Sequence, residues 1–162
     1  MKIIVRSAEP HDFEAIVAIA ELSPYQPTNS EGLESIAKHI ETGKALLATA
    51  DETPAGYLLH WPHLWEGRPP FVRHIDVTPE LQGQRIGRAL MAGMERVAIN
   101  LGFSAIYSST AENNEGSRRF HESLGFSVDC VYPLRDQPVN ELMLSKLVIP
   151  AISVPDNVDL LV

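Results

Sequence analysis

The sequence predicts a mixed α/β domain, and three observations predict it. Val72 to Val77 sets Val72, His74 and Asp76 against Arg73, Ile75 and Val77 and is rich in β-branched residues, which is a strand signal. Directly downstream, Ile86, Ala89, Leu90, Gly93, Met94, Val97 and Leu101 recur at helical spacing. Strand-like and helix-like stretches then follow one another along the whole chain, with no internal repeat and no low-complexity segment.

From the N-terminus, Ile3 to Val5 reads as a first strand. Pro10 opens a helix whose buried stripe is Phe13, Ile16, Val17 and Ala20. Ser23 to Pro27 breaks it. Thr28 and Glu31 have capping-box spacing for a second helix, with Leu33, Ile36, Ala37 and Ile40 inward and Gly43 at its stop. Ala45 to Ala50 and Ala55 to Trp61 are strands joined by a turn at Asp51 to Pro54. An aromatic, Pro-rich connection leads to a strand near Phe71 to Val77, where Pro79 stops it. The long helix ends before Gly102, and Phe103 to Ser109 is a strand. A helix from Asn114 ends at Gly125, followed by strands at Phe126 to Tyr132 and Glu141 to Val148. Ile149 to Val162 reads as a tail that lies on this subunit or a neighbour, or is disordered.

A chain of 162 residues with this apolar content is one folded domain with a substantial core. The formal charge of −8 argues against a general nucleic-acid surface. It is compatible with a cationic or amine acceptor, but most acidic proteins are simply soluble. Cys130 is the only cysteine, which excludes an internal disulfide framework and zinc-knuckle spacing. Between Val128 and Val131 it reads as a strand residue rather than a nucleophile. His60, His63 and His74 show no metal-ligand pattern, so no metal is expected. No signal peptide or membrane span is visible, and the default location is the cytoplasm.

The chemistry concentrates at residues 73–91. Strand, glycine-containing loop and helix is how proteins build an anion cradle. Gly83 and Gly87 permit close backbone approach, and Arg85 and Arg88 offer charge-assisted contacts. An ordinary surface turn before a core helix has the same pattern.

Gln82-x-x-x-x-Gly87 resembles the acyl-CoA signature of the GNAT superfamily of N-acetyltransferases, Gln or Arg, two residues, Gly, one residue, Gly or Ala. About thirty residues on, Asn114-Glu-Gly-Ser-Arg-Arg-Phe-His-Glu-Ser-Leu-Gly-Phe126 resembles the family's second signature, an Asn and then a helix ending in Tyr-x-x-x-Gly-Phe. The resemblance covers nearly all of residues 2–147. Two positions depart from it: Arg85 stands at the middle Gly, and His121 at the Tyr.

The resemblance implies an α/β (α+β) fold, a mixed and mostly antiparallel sheet of about six to seven strands flanked by about four helices. It implies a domain over residues 1–148 and a tail over 149–162. In that fold the fourth and fifth strands splay apart and an acyl-pantetheine arm lies in the gap. Backbone at Ile75 and Val77 is then expected to pair with the arm, with the Val77 N–H toward the thioester oxygen. Gln82, Gly83, Gln84, Arg85, Ile86, Gly87 and Arg88 are expected around the pyrophosphate of acetyl-CoA. Asn114 is expected to bond the arm, with Ser117 beside it; as a helix N-cap Asn114 has a structural reason of its own. His121 is expected near the sulfur as the acid that protonates the leaving thiolate, or else as a half-buried packing residue.

Attack on a thioester requires a neutral amine, so something must take its proton. His74 and Asp76 share a strand face and are candidates; solvent-facing or cross-strand roles explain them equally well. The acceptor pocket is expected among Tyr25, Gln26, Asn29, Trp61 to Trp65 and Arg135. The activity expected is acetyl transfer from acetyl-CoA to a primary amine of a small molecule, by direct attack in a ternary complex. Transfer to a protein or peptide amine, and a non-catalytic CoA-binding module, are the alternatives. A homodimer is one open state of assembly.

Overall fold

The structure is a computed structural model and describes residues 1–23, 28–62, 67–133, 138–148 and 154–162. Its strands are β1 (Ile3–Ser7), β2 (Ala45–Ala50), β3 (Thr53–Trp61), β4 (Phe71–Val77), β5 (Ala105–Ala111), β6 (Ser127–Pro133), β7 (Asn140–Leu147) and β8 (Val158–Leu161). Its helices are α1 (Phe13–Glu21), α2 (Ser30–Glu41), α3 (Ile86–Asn100) and α4 (Glu115–Ser123). One sheet holds all these strands in the order β6-β7-β5-β4-β3-β2-β1-β8. Only β1–β8 and β4–β5 are parallel neighbours; the other pairings are antiparallel.

Alternation along the strands builds two cores. Ile3, Val5, Leu46 and Leu58 point to one face, where they meet Leu90, Met91 and Met94 of α3 and Leu124 beyond α4. Leu47, Tyr57 and Leu59 point to the other, where they meet Ile16, Ile19, Ile36 and Ile40 of α1 and α2. Truncating any of these fully buried aliphatic side chains to Ala costs about 2–5 kcal/mol. Arg6 closes one end of the second core with bonds of 2.7 and 2.8 Å to the Asp12 carboxylate, which also accepts the Glu9 N–H.

The helix stops fall where composition places them, with Gly102 and Gly125 at φ of 82° and 88° just past α3 and α4. The start of α2 does not. Asn29 rather than Thr28 is its N-cap, its side chain accepting from the Gly32 N–H at 3.0 Å. The sheet also has one strand more than expected. The segment expected as a tail ends in β8, whose Val158 pairs with Ile3 and is buried. Four residues, Val-Asp-Leu-Leu, are too few for periodicity to reveal.

Candidate active site

β4 and β5 pair only at Phe71 with Tyr107 and Val72 with Ser108. Both strands run on beyond those pairs, β4 to Val77 and β5 to Ala111, so they diverge. The phase of the β3–β4 ladder says what faces the gap. Gly56 lies opposite Val77, and the Thr78 N–H bonds the Ala55 carbonyl at 2.9 Å. Gly56–Val77 is therefore a non-hydrogen-bonded pair, as is Leu58–Ile75 two residues back. The N–H and C=O groups of Val77 and Ile75 point away from β3, toward the space β5 has left.

The chain leaves β4 through a 3-10 turn at Pro79–Leu81 and enters α3 at Ile86. Gly83 has φ 77°, with open space where a Cβ would stand. Arg85 adopts φ 70°, ψ 5° as the N-cap of α3. A left-handed residue with a Cβ costs about 1–2 kcal/mol, so the Arg at this position carries a real strain. The first intrahelical bond of α3 is Ala89 N–H to the Arg85 carbonyl. The N–H groups of Ile86, Gly87 and Arg88 precede that ladder and lie at the positive end of the helix dipole. An exposed loop with Arg85 at its rim and these groups behind it fits a diphosphate.

Other side chains of the loop have different work. Gln82 reaches back to the Val77 carbonyl at 3.2 Å, and Gln84 to the Glu80 carbonyl at 3.3 Å. Arg88 donates to the Ser123 carbonyl at the end of α4, 3.3 Å away, and so ties α3 to α4. At Gly87 a Cβ would stand 3.2 Å from the Phe120 ring. Its missing side chain lets α4 pack against α3.

Asn114 is half-buried and caps α4, its Oδ1 accepting the Ser117 N–H at 3.0 Å. Two turns on, His121 is buried, 2% exposed. Its Nδ1 lies 2.8 Å from the Ser117 carbonyl, which can only accept, so Nδ1 carries the proton. Its Nε2 lies 2.8 Å from Ser108 Oγ on β5. Burial, opposed by the Ser117 carbonyl, lowers the His121 pKa, so the ring is neutral and Nε2 accepts from the serine hydroxyl. The N–H that a neutral ring could give a thiolate is bonded here to the Ser117 carbonyl. What the geometry supplies is a latch between α4 and β5 at the root of the gap. His121→Phe leaves the Ser108 hydroxyl without an acceptor and costs about 1–3 kcal/mol. Chemical denaturation of the variant measures that loss; a midpoint equal to wild type refutes the latch.

On the other face of β4, His74 Nε2 lies 2.6 Å from Asp76 Oδ2, with the two side chains 12% and 19% exposed. The carboxylate accepts, so Nε2 donates, and a neutral ring then presents its lone pair at Nδ1. Tyr57, opposite Asp76 on β3, stacks on the His74 ring at 5.7 Å between centroids. Burial first, and then the negative charge of Asp76, push the Tyr57 hydroxyl pKa up, so it stays protonated. Tyr57 and Ser108 are site neighbours that no motif flags; both become visible only through strand register. Of the surrounding pocket, Tyr25, Gln26, His63, Leu64, Trp65 and Arg135 lie outside the described residues. Asn29 serves as a helix cap, and Trp61 is partly exposed at the end of β3. Among the described residues no cluster of His, Cys, Asp or Glu could hold a metal ion, and no helix is long and apolar enough to cross a membrane.

The diverging strand pair thus opens beside the glycine-containing loop and first turn of α3, and β4 carries the carboxylate–imidazole pair on the face toward Tyr57. A family model, Acetyltransferase (GNAT) family, matches residues 13–126. The chain belongs to the GNAT acetyltransferase family. Solved structures share its fold. A GNAT-family protein from Desulfovibrio desulfuricans superposes with a TM-score of 0.80 at 22% identity, over 91% of this chain and 99% of its own. YncA of Salmonella typhimurium, solved with its cofactor acetyl-CoA, gives 0.73 at 19% identity, over 96% and 99%. The ribosomal-protein-S18-alanine N-acetyltransferase of Escherichia coli gives 0.74 at 19% identity, over 92% and 96%. Among functionally curated proteins none matches the sequence. The structure gives a local account of the two positions that the sequence singles out. Arg85 takes a left-handed backbone that a glycine would adopt freely, and His121 turns inward to Ser108.

Proposed function

We propose that this GNAT protein transfers an acetyl group from acetyl-CoA to a primary amine of a small molecule, by direct attack in a ternary complex. The observation that carries the reading is the His74–Asp76 pair beside a gap lined by the free backbone groups of Ile75 and Val77. The loop from Gln82 to Arg88 would hold the diphosphate of acetyl-CoA through the first-turn N–H groups of α3 and Arg85. Asn114 and Ser117 would border its arm. Bound there, it supplies an activated acetyl thioester.

The residues of this chain do the rest. His74 takes the ammonium proton at Nδ1, and Asp76 stabilises the imidazolium that results. The Val77 N–H donates into the gap, where negative charge develops during attack. A thiol is acidic enough to leave as a thiolate and recover its proton from solvent, so His121 need not supply one. Limited exposure of the pair suits a slender amine. No nucleophile is needed, and Cys130, exposed on β6, has none of the surroundings that activate a thiol. Dependence on acetyl-CoA goes with a cytoplasmic location.

Free-thiol release with acetyl-CoA and a panel of amines tests the reading. Initial-rate lines are expected to intersect, as a ternary complex requires. Parallel lines together with a trapped acyl-enzyme would overturn direct attack. Tight CoA binding with no amine-dependent thiol release would leave a binding module instead.

A further inference from the structure

β4 carries a bulge. Leu59 pairs with His74 and His60 with Val72, which leaves Arg73 without a partner in the register. A bulge bends the strand and re-aims a side chain. Here it brings Arg73 to the face of His74 and Trp61: its guanidinium carbon lies 5.7 Å from the Trp61 ring centroid. Trp61 in turn stacks on Phe71 at 5.5 Å, giving a partly exposed aromatic platform with a cation over it. Arg73 is exposed and enters none of the ion pairs among the described residues.

The surroundings are positive, in a protein whose formal charge is −8. His39 of α2 is buried, donates from Nδ1 to the Ser35 carbonyl at 2.7 Å, and has no partner at Nε2 among the described residues. The charges that act on it are Arg73, Lys44 and Lys38, with no carboxylate among them. Three residues along the same strand, Asp76 supplies the opposite sign. A simple cationic amine gains at Asp76 and is repelled by Arg73. A zwitterion gains at both ends.

We infer that the acceptor carries a carboxylate as well as its amine, and that Arg73 holds the carboxylate while the amine faces His74 and Asp76. The substrate class is then an amino acid. This deepens the acetyl-transfer reading and rests on it. The bidentate guanidinium suits a carboxylate, and the Trp61 ring beside it helps hold it in place. Removing the acceptor's carboxylate, or the guanidinium, leaves the other without its partner.

The test compares phenylalanine, leucine and lysine, each with its α-amide and its decarboxylated amine, and 4-aminobutyrate with propylamine. The kcat/KM of wild type for at least one amino acid is expected to exceed that for its decarboxylated amine by about tenfold to a hundredfold. In Arg73→Met, which keeps an apolar stem over Trp61, that ratio is expected to collapse toward one. A wild-type ratio near one, a preference for the amide, or a ratio that survives Arg73→Met overturns this inference alone. An enzyme that acetylates no member of the panel, amines included, overturns the inference and the small-amine reading together.

Discussion

His74→Ala is expected to lower kcat about a hundredfold or more while the affinity for acetyl-CoA stays close to wild type. The reason is the division of the site between two faces of one sheet. The diphosphate loop and α4 belong to the α3 side, whereas His74, Asp76 and Tyr57 face α1 and α2. Removing the imidazole takes away the proton acceptor and leaves the loop untouched. Asp76→Asn keeps the shape but offers an amide that can donate to Nε2 as readily as accept from it. The ring then loses its fixed tautomer, and part of the population presents Nδ1–H where a lone pair is needed. A substantial loss in kcat is expected there too, with less effect on KM. Double replacement should cost little more than His74→Ala alone, since the two act as a unit. Full turnover by a folded His74→Ala protein at saturating substrates would dismiss the pair as a base.

Stability falls steeply as the pH drops from about 6.5 toward 4. Three buried histidines act in the same direction. His60, 3% exposed, has neither ring nitrogen bonded among the described residues, and burial lowers its pKa to about 4. Burial likewise lowers His39 and His121. A histidine whose folded pKa lies below its unfolded value of 6.5 is protonated first in the unfolded chain. Its contribution is complete above 6.5 and is lost as the pH falls toward the folded pKa. For His60 alone the loss across that window is about 3 kcal/mol. Asp12 extends the trend below its ordinary 3.8, because its bond to Arg6 lowers its pKa and that benefit also disappears in acid. Urea midpoints between pH 7.5 and 4.5 measure the effect. His60→Phe removes one of the three and should flatten the curve. A wild-type midpoint that does not move over this range would mean the histidines are not held neutral in the fold.

What the sequence determined is everything that depends on local chemistry. Alternation at residues 72–77 and helical spacing at 86–101 fix a strand and a helix because each buries one face. The loop between them is legible as a glycine-containing turn before a helix start, a pattern that an anion cradle and an ordinary surface turn share. The paired signatures at Gln82 and Asn114 carried the family, and the shared strand face of His74 and Asp76 carried the candidate base.

Tertiary structure decided what depends on register and on contact between distant segments. Gly87 looks like phosphate chemistry in sequence, and becomes a packing position only when Phe120 arrives beside it. His121 shows only its residue type in the sequence; its burial and its bonds to the Ser117 carbonyl and to Ser108 on β5 come from the fold. Arg73 shares its phase in the sequence with Ile75 and Val77, and a one-residue bulge re-aims it. Tyr57 meets His74 only through antiparallel pairing, and β8 exists only because β1 offers it an edge. In each case the side chain's type was visible and its partner was not. Period and propensity are properties of neighbours along the chain, whereas charge state and packing are set by neighbours in space.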